Sequence, residues 1–350
     1  MNMNAKINRR EFMVSAALAP VAAAQAADAV TKPTVVEKDW KKEKPEPVSK
    51  DPVAPNTKGT LPMGKIGKLT ISRLISGGNL LSGWCHQRDL LFVRNLAGAY
   101  LTEAKQFDTL QMVEESGVNT ILIDSFQLDL VNQYRQQRGG KIQTIAAVPG
   151  YGDCRNLDDL KEQVRRALEK NPGLLFLHGG FADRLVESGQ PERLEWIGEA
   201  LEFIRQQGFS AGLGAHALEV PKACDRQNIQ PDFYVKTFHH DRYWSATPKE
   251  RRKPFCVDGS RSLDHNEFHD NIFCLDAEAT AEYMRGKPQP WIAFKVLAAG
   301  AIPPESGFKY AFENGADFIA VGMFDFEVNE DLQAARQVLD GLQRARPWRA

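Results

Sequence analysis

The chain carries seven histidines, and none lies in a segment of helical pattern. His86, His178 and His216 each fall just past a short apolar run, His239 and His240 close the run that starts at Asp232, and His265 and His269 follow in the next stretch. Imidazole at the end of a buried run suits two kinds of chemistry: proton transfer near neutral pH and ligation of a divalent metal. A metal reading takes His178, His216, His239 and His240 from three successive runs, with Asp325 adding a carboxylate. The alternative for each histidine is a structural role, its neutral ring bonded to loop carbonyls. Lys295 stands inside Ile292-Ala-Phe-Lys-Val-Leu-Ala-Ala-Gly300, where a charge is costly unless paired or functional. Burial lowers an amine's pKa, which makes Lys295 a candidate general base or Schiff-base nucleophile. Pairing with a strand-end acid such as Asp124 or Asp325 is the competing role. Lys295, His178 and Asp124 are therefore the expected catalytic groups.

These residues need elements that bring them to one place. Short apolar runs at 73–76, 120–124, 143–148, 174–177, 210–214, 232–238, 291–297 and 317–322 read as strands. Between them, stretches such as 157–169 and 193–207 repeat leucine and isoleucine at three- and four-residue steps, as amphipathic helices do. Such alternation predicts a (β/α)8 TIM barrel over residues 67–350, with an open doubly wound sheet as the alternative. The glycine fingerprint of dinucleotide-binding sheets, G-x-G-x-x-G after a first strand, is absent. In a barrel the chemistry sits at the carboxyl ends of the strands, which is where Asn79, Asp124, His178, His216, Lys295 and Asp325 fall.

The composition narrows the class of function. With 350 residues, 43% hydrophobic and 25% charged, the chain can bury one large core. The 44 basic and 45 acidic residues leave no electrostatic footprint for nucleic acid. No apolar run approaches the roughly 20 residues that a membrane span needs. At the N-terminus, Asn8-Arg9-Arg10-Glu11-Phe12-Met13 precedes an alanine-rich run, and Ala24-Gln25-Ala26 offers a small-x-small cleavage pattern. Residues 1–26 thus resemble a twin-arginine signal peptide, which implies the Tat translocase as a partner and a periplasmic location. Residues 27–66, rich in proline and lysine, read as a linker.

The longest break in the alternation runs from about residue 239 to 290, after the sixth strand. Loops of that length in a compact domain are usually functional, and this one is expected to form a lid. Arg242, Tyr243 and Trp244 within it, together with Asn79 and Trp84, are candidate contacts for a small polar substrate, the aromatic rings stacking on a sugar face. A solvated surface excursion is the plainer alternative. Five cysteines include Cys256 and Cys274, which bracket an 18-residue step of this excursion. An oxidising compartment favours a disulfide between them, and thiols kept reduced until folding are the alternative.

Ile71-Ser-Arg-Leu-Ile-Ser-Gly-Gly-Asn-Leu-Leu-Ser-Gly83 and Gly117-Val-Asn-Thr-Ile-Leu-Ile-Asp124 resemble the first two units of the aldo/keto reductases. That resemblance implies a (β/α)8 barrel reducing carbonyls with NADPH, through an Asp after strand two, a Tyr shortly beyond, a Lys after strand three and a His after strand four. Asp124 and His178 match the Asp and the His. No tyrosine follows Asp124 before Tyr134, and Ala146-Ala-Val-Pro-Gly150 holds no lysine, so NAD(P) is disfavoured as a cofactor. The residues point first to a periplasmic enzyme of carbohydrate or polyol chemistry, a metal-assisted lyase, hydrolase or isomerase. A nicotinamide-dependent oxidoreductase and a non-catalytic barrel binding a glycan or a partner remain the other readings.

Overall fold

The computed structural model describes residues 59–86, 90–149, 154–253 and 273–350. The sequence-predicted signal peptide, most of the linker, and residues 254–272 of the expected lid, with Cys256, His265 and His269, lie outside them. Eight short strands run parallel: β3 (Leu74–Gly77), β4 (Thr120–Asp124), β5 (Gln143–Val148), β6 (Leu174–Leu177), β7 (Ala211–Ala215), β8 (Phe233–Thr237), β9 (Trp291–Phe294) and β10 (Phe318–Val321). Each pairs with its neighbours in chain order, and Ile319 of β10 pairs with Leu74 of β3, so the sheet closes into a barrel. The strands are mostly apolar because both of their faces are covered. One face packs inward, with Ile75, Ile145, Phe176, Phe233, Val235 and Phe318 filling the barrel. The other packs against a ring of helices.

Some of those helices start where the sequence supplies a cap. Asn156 accepts from the Asp159 N–H at the head of α4 (Leu157–Leu168), and Asp276 accepts from the Ala279 N–H at the head of α8 (Ala277–Arg285). α1 (Leu91–Tyr100), α2 (Glu103–Glu115) and α3 (Leu128–Arg138) precede them around the ring. α5 (Gly179–Glu187), α6 (Pro191–Gln206), α7 (Glu219–Arg226), α9 (Pro304–Glu313) and α10 (Val328–Asp340) complete it.

Two elements depart from the sequence expectation. Residues 63–66, expected in the linker, form β1 (Met63–Ile66), which pairs antiparallel with β2 (Leu69–Ser72) through a turn with Gly67 at φ +54°. Ile66 and Ile71 of this hairpin enter the barrel's interior cluster, so the hairpin plugs its amino end. Strand seven, expected to reach residue 297, stops at Phe294. Lys295 has φ +57°, and Ala298 and Ala299 are also left-handed, which turns the chain out of the sheet.

At that amino end Asp317 is fully buried, paired with Arg344 and Arg346, and it accepts the backbone N–H groups of Trp291 and Arg349. The Arg73 guanidinium lies over the rings of Phe318 and Trp348 and donates to the Asp317 carbonyl. The carboxyl ends of the strands lie at the opposite end of the barrel.

Candidate active site

A cavity of about 310 Å³ opens at the carboxyl ends of the strands. Asp124 reaches it from the end of β4, His178 from β6, His216 from β7 and Lys295 from β9, while Asn79, Trp84 and His86 enter from the segment after β3. Four expected site residues thus share one chamber with two of the expected substrate contacts. Phe176 and Phe294 supply apolar wall.

His216 is the most constrained of the group. Its Nδ1 donates to the buried Asp183 carboxylate at 2.8 Å, and the same carboxylate accepts the backbone N–H groups of His216 and Ala217. A carboxylate on Nδ1 fixes the tautomer and leaves Nε2 as a lone-pair base. Gly179, which opens α5, permits this approach: a Cβ there would lie 3.1 Å from His216 Nδ1. Asp183 sits one helical turn further along α5, so the helix after β6 carries the carboxylate that orients the imidazole after β7.

Asp124 and His178 face each other at 3.8 Å. Burial lifts the Asp124 carboxyl to about 6, against the opposing charge of Lys295. Burial also drives the His178 imidazole down to about 3, and the neighbouring His216, Lys295 and Arg184 push it the same way. His178 is therefore neutral at working pH, while Asp124 titrates within reach of it. Lys295 Nζ lies 2.6 Å from His86 Nε2 and 4.0 Å from the centre of the Phe273 ring. Proton donors and acceptors of graded strength therefore surround one small space.

The raised carboxyl gives a pH-dependent stability. Asp124 binds a proton in the folded state at pH values where the unfolded chain has released it, so its contribution is fully present below about 4 and is lost as pH rises through about 6. Ionised Asp124 then costs on the order of 3 kcal/mol. Asp124→Asn cannot ionise, so its unfolding free energy should gain on wild type between pH 4 and pH 7. Urea titrations at both ends of that range check this; a constant difference would mean that Asp124 ionises in the barrel as it does in water.

The remaining expected residues go elsewhere. His239 is fully buried; its Nδ1 donates to the His240 carbonyl at 2.8 Å, and its Nε2 accepts the N–H groups of Phe273 and Cys274 at 3.0 and 3.1 Å. Burial holds it down to about 4. It ties the two ends of the long excursion together and has no lone pair left for an ion. The His240 ring is equally committed, with Nδ1 accepting from the Arg242 N–H and Nε2 donating to Ser306 Oγ. Asp325 accepts from Tyr100 Oη and pairs with Lys105, between α1 and α2. The five residues expected around a metal thus fall into three places. Among the described residues no three His, Cys, Asp or Glu side chains gather closely enough to hold an ion, so the five expected ligands do not form one donor set.

Lys236 is a wall residue: its ammonium donates to the carbonyls of His216 and Thr237 and to Thr237 Oγ1. Trp244 is 94% exposed, and neither it, Tyr243 nor Arg242 lines the cavity. Tyr243 meets the edge of the His239 ring instead. Cys274 is a free, buried thiol directed at Thr280.

No protein-family model matches the chain, and no curated protein resembles it in sequence. Two solved structures, each described as a putative aldo-keto reductase from Pseudomonas aeruginosa, share its architecture. One aligns over 79% of this chain and 95% of its own at 15% identity with a TM-score of 0.52. The other covers 79% and 96% at 14% identity and 0.53. The likeness shows the fold, a (β/α)8 barrel. Inside the barrel Asp124 and His178 come together as the sequence resemblance implies, but Ala147 and Pro149 line the cavity at the end of β5. Tyr134 is buried on α3 and donates to Glu114. Among the described residues no tyrosine lines the cavity and no lysine lines it at the end of β5, so the full set of groups that the resemblance implies is not assembled there.

His86 and Asp183 are the site residues that the sequence reading left unassigned. Both were visible there as polar groups just past apolar runs, but their partners were not.

Proposed function

We propose that this barrel is an enzyme that moves a proton on a small polyhydroxylated carbonyl compound, in isomerase- or lyase-type chemistry on a carbohydrate-like substrate. The observation that carries the proposal is the His216–Asp183 pair aimed into the same cavity as Lys295 and Asp124. His216 Nε2 is the base that removes a proton from the carbon next to the carbonyl, and Asp183 stabilises the imidazolium that results. Asp124 in its acid form donates to the carbonyl oxygen as charge builds there, and Lys295 places a cation beside it. Neutral His178 adds a hydrogen bond without adding charge. Trp84 and Phe294 offer apolar faces on which a sugar ring can lie.

The motif at Arg9 and Arg10 supports a periplasmic site of action, and cell fractionation of the double Lys variant tests it: undiminished export would remove that part of the proposal. The chemistry is tested in D2O with a panel of three- to six-carbon aldoses and ketoses followed by proton NMR. Wild type is expected to wash out the proton next to the carbonyl of at least one member. His216→Ala should slow this about 10²–10⁴-fold. A panel member that binds tightly and never exchanges would favour a non-catalytic binding barrel instead.

A further inference from the structure

Within the proton-transfer reading, on which this step rests, we infer that Lys295 binds the substrate covalently, as an imine with an aldehyde or ketone carbonyl. Three observations converge on this amine. First, Lys295 is the single primary amine among the described residues that line the cavity, and it stands with Asp124, His178 and His216 around the same space. Second, its Nζ lies 2.6 Å from His86 Nε2, so the imidazole accepts from the amine and can take up the proton that must leave before the nitrogen attacks. Third, the backbone that presents it is costly. Lys295, Ala298 and Ala299 are all non-glycine residues at positive φ, within one turn after β9. A side chain with a Cβ disfavours this backbone conformation, and strain of this kind persists where surrounding packing holds a side chain in a working position.

The step balances without an added reagent. His86 takes one proton from the Lys295 ammonium, the freed nitrogen pair bonds to the carbonyl carbon as the C=O π pair moves to oxygen, and His86 returns its proton to that oxygen. Asp124 then protonates the resulting hydroxyl so that the C–O bond breaks and water leaves, and it recovers its proton from the second N–H as the nitrogen pair forms the C=N bond. Counted from the ammonium, two N–H protons depart with the oxygen as water, and the positive charge stays on the iminium nitrogen. Asp124 has the chemistry for this role, since its carboxyl is held near 6 and keeps an acid fraction close to neutral pH. An iminium withdraws electrons from the neighbouring C–H more strongly than a neutral carbonyl does, and so makes that proton easier for His216 to remove. The Phe273 ring, 4.0 Å from Nζ, shields the bond from water on one side and stabilises the cation.

The alternative role for Lys295 is a permanent ammonium paired with Asp124, which would be poorly nucleophilic. Reductive trapping separates the two. The full-length protein is incubated at neutral pH with dihydroxyacetone and sodium cyanoborohydride, and each lysine is followed by peptide mapping for a mass gain equal to the probe less one oxygen. Lys295 is expected to react at least about tenfold faster than Lys249 and Lys309, whose side chains are 71% and 62% exposed. His86→Ala should slow Lys295 severalfold and leave Lys309 unchanged. Labelling of Lys295 no faster than that of Lys309 overturns the imine. If sugar-proton exchange occurs in that case, the proton-transfer reading stands with Lys295 as an electrostatic group alone. Fast labelling without exchange of any sugar leaves the imine in place and removes the proton-transfer reading.

Discussion

Asp183→Asn is expected to lower the rate of sugar-proton exchange by about 10³–10⁴-fold while the barrel stays folded. The carboxylate now accepts from His216 Nδ1 and from two backbone N–H groups. An asparagine keeps an oxygen for the backbone donors, but its amide can only donate toward Nδ1. The imidazole must then carry its proton on Nε2, and the base that faces the cavity is lost although no atom has moved far. Nitrogen-15 NMR of the histidine rings reports the tautomer directly, and the exchange assay reports the rate. A variant with the proton moved to Nε2 and an unchanged rate would show that His216 is not the base.

The second large effect is at the other end of the barrel. Asp317→Ala should destabilise the fold by about 3–5 kcal/mol, because it leaves the Arg344 and Arg346 guanidinium groups buried without their carboxylate. The same change strips the acceptor from the Trp291 and Arg349 N–H groups. Urea denaturation measures the loss. Exchange activity below the transition should be close to wild type, since the functional cavity draws none of its lining from this end. A loss under 1 kcal/mol would mean that water or a shifted arginine replaces the carboxylate.

The periodicity of the sequence determined the barrel and its functional rim. β4, β5 and β6 have the bounds that their apolar runs predict, since a strand buried on both faces reads as an unbroken apolar segment with polar residues at its end. That rule alone placed Asp124, His178, His216 and Lys295 at one end of the molecule, and the structure adds that they share a cavity. It could not say which way a residue points once it leaves the strand, because the twofold alternation of side chains stops with the ladder. His216 and His239 look alike in sequence, each just beyond a buried strand. Their directions are decided by partners far along the chain: Asp183, 33 residues before His216, turns one ring toward the cavity, and the N–H groups of Phe273 and Cys274, 34 and 35 residues after His239, draw the other into the wall. The pairing of Lys295 with His86 spans 209 residues and exists only because the eighth strand closes against the first of the barrel. Chain pattern therefore set the rim, and the long-range hydrogen bonds that buried polar groups must satisfy set which of its residues face the substrate.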